Sequence, residues 1–372
     1  MLSALFEVKD GRLAWWVAVL CVVLTGLIQP PPAEAAQQAN PEWSAIPFPK
    51  GVSLPLPVGV AVLVNRIERI NENTNTFEGH IDVRYRWRDP RLAFAVTDMA
   101  TDRLEFDDEV ALAKLQTIWN PRITITNMVE SDAQKRVGLF IYPDGSVDLI
   151  HRIKATFETR FNLRAFPFDT QLLPVIMLSS KYNINQIKLI QEQRDIDHSG
   201  LSPDLRLKEW IPQGLTFRVS QVRAWSGSFT PQLEANVKIT RGSGMIMMGV
   251  FIPFLLLMTV PTIFVVLKQA DLLSRLNAWA ASILALVALS FTIGLRYPAL
   301  GGDNLISQAI STGYAYQLLS VFLAVTIYNP LIADRLGNKL IVAELATYLR
   351  WAVPVLFIGI LITSALLRAY SW

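Results

Sequence analysis

The sequence has few of the side chains from which catalytic and metal centres are built. It contains one cysteine, Cys21, which cannot form a disulfide within the chain, and three histidines. His80, His151 and His198 lie far apart and lack the spacing of metal ligands. The sequence also has no glycine-rich phosphate loop, no GxSxG and no paired-histidine motif. We therefore expect no enzymatic activity and no cofactor.

Charged residues are also scarce, and they are unevenly distributed. Only 17% of the 372 residues are charged and 52% are hydrophobic, with a mean hydropathy of +0.33. This composition is too apolar for an ordinary soluble protein and too charged for one confined to a membrane. Most charges precede Gly244 and the apolar runs follow it, which predicts a soluble domain and then a membrane domain. The small net charge of +3 argues against nucleic acid as a partner.

The first 36 residues have the pattern of a secretory signal peptide. Two basic residues precede the apolar run Leu13–Ile28, and small residues from Ala33 to Ala36 fit a cleavage site. Cleavage would remove Cys21 and place the following domain outside the cytoplasm; an uncleaved anchor helix is the alternative. Residues 37–57 include a proline-rich stretch and are expected to form an extended lead-in.

Residues 58–243 are predicted to form a β-sandwich, because many short strand-like runs are separated by turns. Ile81–Trp87 alternates apolar and charged residues, and Pro143-Asp144-Gly145 is a hairpin signal. The acidic segment Asp102–Glu109 is expected on a loop or short helix as a solvated surface, with a weak divalent-cation site as the alternative. The strand runs are Val58–Ile70, Thr76–Trp87, Ile123–Val129, Val137–Ile150, Ile153–Phe161, Leu172–Leu178, Leu215–Trp225 and Leu233–Thr240.

Residues 244–372 contain four apolar runs long enough to cross a bilayer as helices. The basic residues of the connections lie mainly on one side, which predicts a multi-pass protein of the cell inner membrane with its N-terminal domain in the periplasm or outside the cell. The four runs are Met245–Leu267, Leu276–Leu295, Asn304–Ala333 and Leu345–Leu367.

The second run carries a stripe of residues at steps of four and three, so that they share one helix face. Its side chains are polar or small at one end of the helix and bulky and apolar at the other. Such a face suits a helix that lines a narrow pore, but it also suits a packed seam, and periodicity alone does not separate the two. The helix stripe consists of Asn277, Ala281, Leu284, Ala288, Phe291 and Leu295.

Two local motifs are unusual for a soluble sandwich. Trp119-Asn120-Pro121 is a strand entry with an indole. In the loop motif Phe166-Pro167-Phe168-Asp169, two aromatic side chains flank a proline and a carboxylate follows. One role for the loop motif is to pack its aromatic side chains onto membrane-embedded helices.

At these motifs the chain resembles the pentameric ligand-gated ion channels, the Cys-loop receptor superfamily, of which Phe-Pro-Phe-Asp is the signature. The two cysteines that bracket this loop in animal members are Thr159 and Leu173 here, as expected of the bacterial branch. Other matches are Trp119 and Pro121, Arg241 just before the first membrane run, Pro253 within it, and Ser307–Tyr314 at the start of the third.

The resemblance implies a homopentamer in which each subunit contacts identical copies. A small-molecule ligand, such as an amine, binds between the sandwich domains, and inorganic ions pass through a pore lined by the second helix within membrane lipid. Rings of Leu284 and Phe291 would stop ions by excluding water. The residues implied for coupling between the domains are Phe166, Pro167, Phe168, Asp169, Arg241 and Pro298.

The resemblance leaves the ligand and the ion open. An aromatic box holds amines in the family, but Lys181 beside the site would repel an ammonium, and each tryptophan could equally be core packing. At the pore entrance, a ring of Asp271 and a ring of Arg275 carry opposite charges and do not determine whether cations or anions pass. We expect the pore to select cations. A non-conducting periplasmic receptor or scaffold with the same fold is the alternative function. The implied ligand residues are Trp87, Trp119, Ser180, Tyr182, Trp225 and Phe229.

Overall fold

The computed structural model describes residues 46–96, 101–131, 136–224, 227–266, 271–328 and 339–369. The predicted signal peptide, 1–36, and Trp225 lie outside the described residues. The described chain is rich in β-strands up to Arg241 and helical from Gly244 onwards.

Within this described part, twelve strands form two sheets. The first sheet has the order β10-β1-β2-β7-β6-β3, with β5 paired to β7 and β9 paired to β1; the second has the order β11-β12-β8-β4. The strands are β1 (Leu56–Asn71), β2 (Thr76–Arg88), β3 (Leu104–Asp107), β4 (Ile123–Ile125), β5 (Met128–Ser131), β6 (Arg136–Ile141), β7 (Ser146–Glu158), β8 (Thr170–Ser179), β9 (Ile187–Ile190), β10 (Gly200–Leu201), β11 (Trp210–Arg223) and β12 (Phe229–Arg241).

The inner faces of both sheets form the core predicted from the alternating sequence. On β2, Ile81, Val83 and Tyr85 are buried while the residues between them are partly exposed. On β8, Leu173 and Val175 are fully buried in the same alternating way. Side chains of a strand point to opposite faces, so this pattern buries one face of each sheet. The predicted β-sandwich is confirmed.

Several local predictions differ from the structure. Asp102–Glu109 is not one loop: β3 takes part of it, and helix α1 (Asp108–Thr117) begins at its end. β7 continues through the break expected near Ile150, because all thirteen of its residues pair with β2. Helix α2 (Gln193–Asp197) was not expected. In the described ranges, no three His, Cys, Asp or Glu side chains come together to hold a metal ion.

Phe48 and Gln116–Trp119 belong to a separate compact unit. In it, the ring of Phe48 meets the indole of Trp119 edge-on, with the centroids 5.0 Å apart and the planes at 67°. Trp119 is buried. Edge-to-face pairs of this kind are a favoured aromatic geometry.

Four helices are long and apolar enough to cross a membrane, by length and composition, among the residues searched. α3 (Ile252–Val266) is preceded by a helical turn, Gly244–Ile246, and a π-helical segment, Met247–Phe251. The other three are α4 (Leu272–Arg296), α5 (Leu305–Tyr328) and α6 (Lys339–Ala369).

The membrane helices pack around a shared apolar cluster. Phe254 of α3, Leu286 of α4, Tyr316 of α5 and Phe357 of α6 are all buried in it. The rings of Tyr316 and Phe357 stack with centroids 4.4 Å apart. One face of α4 is therefore committed to contacts within the subunit.

Candidate functional site: the domain junction and the second membrane helix

A buried ion pair lies where the sandwich meets the membrane helices. Thr170 of β8 pairs with Thr240 of β12, so Asp169 and Arg241 stand opposite each other at the ends of these strands. Arg241 Nε donates to Asp169 Oδ1 at 2.7 Å and Nη2 donates to Oδ2 at 3.1 Å. Both side chains are at most 1% exposed. This two-point geometry fixes the direction of the guanidinium as well as its charge.

Glu72 is a third charged residue that bonds to this ion pair, and it was not identified from the sequence. It lies in the turn between β1 and β2, and its Oε1 accepts from Arg241 Nη2 at 2.7 Å. Burial raises the pKa of Glu72, an effect that the charge of Arg241 only partly opposes. Burial alone would lower the pKa of Arg241, but the bond to Asp169 and the two carboxylate charges raise it. Glu72 therefore takes up a proton more readily than an exposed glutamate does.

Aromatic rings enclose the same guanidinium. The Arg241 carbon Cζ lies 4.0 Å from the ring centroid of Trp210 and 4.6 Å from that of Phe166. Cation–π contacts strengthen when the cation is desolvated, as it is here. Gln171 Nε2 also donates to Asp169 Oδ2 at 2.6 Å. Trp210 and Gln171 had no motif around them that would have identified them from the sequence.

Phe166 links this charged site to the membrane helices. It is fully buried in a cluster with Ile246, Val250, Ile293 and Ile306, which come from the start of the first helical segment, from α4 and from α5. Its ring lies 5.1 Å from that of Tyr297, which follows α4. Pro167 is buried too. Residue 166 therefore contacts both the guanidinium and the helices.

Phe168 does not pack onto the helices as expected for the loop motif, because 54% of its surface is exposed. Only the first aromatic of the loop motif packs on the helices within one subunit. A hydrogen bond joins the two ends of the segment that holds the loop motif: Thr159 Oγ1 donates to the carbonyl of Leu172 at 3.2 Å.

A cavity of about 220 Å³ lies beside the ion pair. Its wall combines the β1–β2 turn, including Glu72, with the end of α4 and the segment after it, including Arg296 and Pro298. Pro298 is exposed and lines this cavity together with Arg241. Among the predicted coupling residues, the structure brings Phe166, Pro167, Asp169 and Arg241 together and places Pro298 at the edge.

All members of the helix stripe are exposed on α4 within one subunit. Leu284 is 70% exposed and Phe291 69% exposed. The opposite face of α4 is buried, and its residues are Trp279, Ser282, Leu286 and Ile293. A long apolar face left uncovered on a membrane helix either meets lipid, meets another subunit or lines a lumen.

The two predicted selectivity residues lie in different environments. Asp271 is exposed and caps α4, with a carboxylate oxygen accepting from the Ser274 backbone N–H at 3.3 Å. Arg275 is fully buried within the subunit. Its guanidinium therefore does not belong to the exposed helix stripe, and a ring of five Arg275 side chains facing a lumen does not follow from this arrangement.

The predicted ligand residues divide into two groups. Ser180, Tyr182 and Phe229 gather at one end of the second sheet, where the Ile184 N–H donates to the Phe229 carbonyl at 3.0 Å. Trp87 is buried in the sandwich core, and Trp119 is buried against Phe48. For these two tryptophans core packing replaces the predicted ligand contact, because a ring that is about 98% covered presents no face to a ligand.

The ring of Tyr182 already has a cation over it. Tyr182 is buried, and Lys181 Nζ lies 5.6 Å from its ring centroid. Phe229, the remaining described aromatic of the group, is 48% exposed. The hydroxyl of Ser180 donates to the Arg122 carbonyl at 3.1 Å. The described residues of this group therefore form no open aromatic box within one subunit.

The sandwich thus contacts the four-helix bundle through Phe166, which in turn packs against the buried guanidinium of Arg241. This combination of a β-sandwich and a four-helix membrane bundle is that of a class of receptor channels. The profile of the neurotransmitter-gated ion-channel ligand binding domain matches residues 44–242, which is more than half of the chain. The chain belongs to this family, within the pentameric ligand-gated channel, or Cys-loop receptor, superfamily. It is a multi-pass membrane protein with an extracellular β domain.

Its relatives include channels from animals and bacteria. The chain is 26% identical over 67% of its length to the pH-sensitive chloride channel 2 of Anopheles gambiae, covering 41% of that protein. It is 24% identical over 67% to the glycine receptor subunit beta of Rattus norvegicus, covering 50%. It is 22% identical over 68% to the proton-gated ion channel of Gloeobacter violaceus, covering 67%. The chain thus spans about half the length of the first animal relatives.

Proposed function

We propose that the protein is a homopentameric ligand-gated ion channel of the cell inner membrane, with a pore lined by the helix stripe of α4. The observation that carries the proposal is the two-faced character of α4. All six stripe residues are exposed while Trp279, Ser282, Leu286 and Ile293 are buried against the subunit. A lipid-facing helix needs no Asn277 and Ala281 at one end of its exposed face, whereas a pore tolerates water there.

One subunit supplies only part of a lumen, so the proposal requires a closed ring. Head-to-tail contacts between identical subunits close when the rotation is a simple fraction of a turn. We expect native mass spectrometry in mild detergent to show a mass of five mature chains. A monomer or dimer as the main species would contradict the ring.

For the gating ligand we propose protons acting through Glu72. One relative is named a pH-sensitive chloride channel and another a proton-gated ion channel. Glu72 has a raised pKa and touches the guanidinium that connects β12 to Phe166 and the helices. As pH falls through that raised pKa, Glu72 becomes neutral, and its ion pair with Arg241 weakens to a hydrogen bond from the charged guanidinium to a neutral carboxyl group. We propose that this neutral state of Glu72 favours the open channel, so that acid activates it at a pH above that at which an exposed glutamate titrates.

Replacing Glu72 with Gln should imitate the protonated state permanently. Acid steps applied to cells expressing the wild-type protein should evoke current, and Glu72→Gln should carry current at neutral pH. Its ratio of acid to neutral current should fall towards one, because residue 72 then has no proton left to gain.

The control for this experiment is Glu105→Gln. Glu105 is an exposed carboxylate on β3, paired with Arg103 and remote from the junction. It should leave the acid response unchanged. A wild-type channel that ignores acid but opens with an amine would favour the aromatic-box ligand instead. An intact acid response in Glu72→Gln would remove Glu72 from the mechanism. The reversal potential of the same currents under a salt gradient gives the sign of the permeant ion.

A further inference from the structure

Pro261 leaves a backbone carbonyl of the first membrane helix, α3, without its usual hydrogen-bond donor. In an α-helix the carbonyl of residue 257 accepts from the N–H of residue 261. Pro261 lies inside α3 and has no N–H. In hydrocarbon such a carbonyl must find another partner, because no water is at hand.

The missing donor comes from another helix. Ser282 Oγ of α4 donates to the Leu257 carbonyl at 3.1 Å. Most other serine and threonine hydroxyls described in these helices bond to a carbonyl of their own helix, as Thr292 Oγ1 does to Ala288 at 2.9 Å. Ser282 is 3% exposed and forms a hydrogen bond between α3 and α4.

The same hydroxyl accepts from a third helix. Gln317 Nε2 of α5 donates to Ser282 Oγ at 3.1 Å, and Gln317 is fully buried. Its Oε1 has no hydrogen-bond partner among the described residues. The chain from Gln317 through Ser282 to Leu257 thus joins three helices in the middle of the membrane domain.

We infer that this chain of hydrogen bonds, the Ser282 latch, holds α4 at a fixed rotation in the bundle and so sets the balance between closed and open pores. Ser282 directly follows Ala281 of the helix stripe and lies two residues before Leu284. Holding it against α3 directs those two stripe residues away from the subunit, because successive helix residues are rotated by about 100°. The inference rests on the proposed channel function and names positioning residues for it.

The Ser282 hydroxyl and a backbone N–H at residue 261 would donate to the same carbonyl, that of Leu257, so variants at the two positions test the latch together. Ser282→Ala leaves the Leu257 carbonyl without a donor, whereas Pro261→Ala restores a backbone N–H that can replace the lost hydroxyl. In SDS-unfolding of the purified full-length protein, Ser282→Ala should shift the folding equilibrium by about three- to tenfold. The double variant Pro261→Ala/Ser282→Ala should recover most of that loss, and Ser282→Thr, which keeps a hydroxyl, should show little loss.

Ser290→Ala is the matched control on the same helix. Its hydroxyl bonds to Val287 of its own helix and to the Tyr314 hydroxyl of α5, but not to the Leu257 carbonyl. Its effect should therefore simply add to that of Pro261→Ala. Additive effects for the Pro261 and Ser282 pair as well would overturn the latch. Should Ser282→Ala fail to fold, recovery of folded protein in the double variant is the supporting result and its absence the contrary one.

Gating is measured separately, with acid steps as the stimulus. Ser282→Ala should shift the half-activating proton concentration by about three- to tenfold, and Pro261→Ala in the same chain should return it towards the wild-type value. Unchanged half-activation alongside a coupled stability cycle would overturn the gating role. If wild-type protein carries no acid-evoked current, the proposed proton gating fails, while the stability cycle still decides whether the latch exists.

Discussion

Leu284→Ser channels are expected to pass current without stimulation, or to respond to weaker acid than the wild type. Leu284 is 70% exposed on the helix stripe. In a closed ring of five it would form an apolar constriction from which water withdraws. Serine replaces an apolar side chain whose transfer out of water is worth roughly 2 kcal/mol per subunit, and it offers water a hydroxyl to bind. Repeated five times, even a fraction of that difference shifts a two-state equilibrium by several kcal/mol.

Leu286→Ser is the matched control two residues further on. Leu286 is fully buried in the cluster with Phe254, Met258 and Tyr316. A serine there should cost about 2–5 kcal/mol of stability and reduce expression, without any gain of function. Whole-cell current normalised to surface protein distinguishes the two. Equal behaviour, or leak from Leu286→Ser alone, would mean that the lumen lies on another face of α4.

Arg241→Ala is expected to abolish current. The substitution leaves Asp169 buried without its cation and removes the contact between Trp210 and Phe166 that the guanidinium provides. Breaking a buried ion pair from one side costs about 3–5 kcal/mol. Surface labelling should therefore show little assembled protein, or assembled protein that does not respond to acid.

Two further variants separate charge from geometry at this junction. Arg241→Lys keeps the charge but loses the two-point bond to Asp169, so it should assemble better than Arg241→Ala and still respond weakly. Asp169→Asn combined with Arg241→Ala removes both charges and should recover part of the lost assembly. Normal currents from Arg241→Ala would show that the ion pair has no part in coupling.

The sequence predicted the architecture because its signals are local. Alternation along Ile81–Trp87 and four long apolar runs depend only on neighbouring residues, and both appear in the structure. The stripe on α4 could be assigned to one face for the same reason. Strand ends were less accurate: β3 and α1 divide an acidic segment whose charge pattern resembles a solvated loop.

The sequence could not predict which residues that are far apart along the chain lie close together in the fold. Glu72 reaches Arg241 across 169 positions, and the only local signal was a polar turn between two strands. The resemblance implies Trp87 and Trp119 as ligand residues, and local sequence does not distinguish an exposed tryptophan from a buried one; both are covered in the structure. The resemblance also implies a pore charge at Arg275, whereas packing buries this side chain within the subunit.

Single-channel recording tests the central claim most directly. Purified wild-type protein, which we expect to be pentameric, is incorporated into a planar bilayer and the bath pH is lowered in steps. The account predicts discrete unitary currents that are rare at neutral pH and frequent in acid, and that are absent from bilayers without protein. Correctly assembled protein that gives no unitary currents, in acid or with added amines, would contradict the channel function and favour a non-conducting receptor.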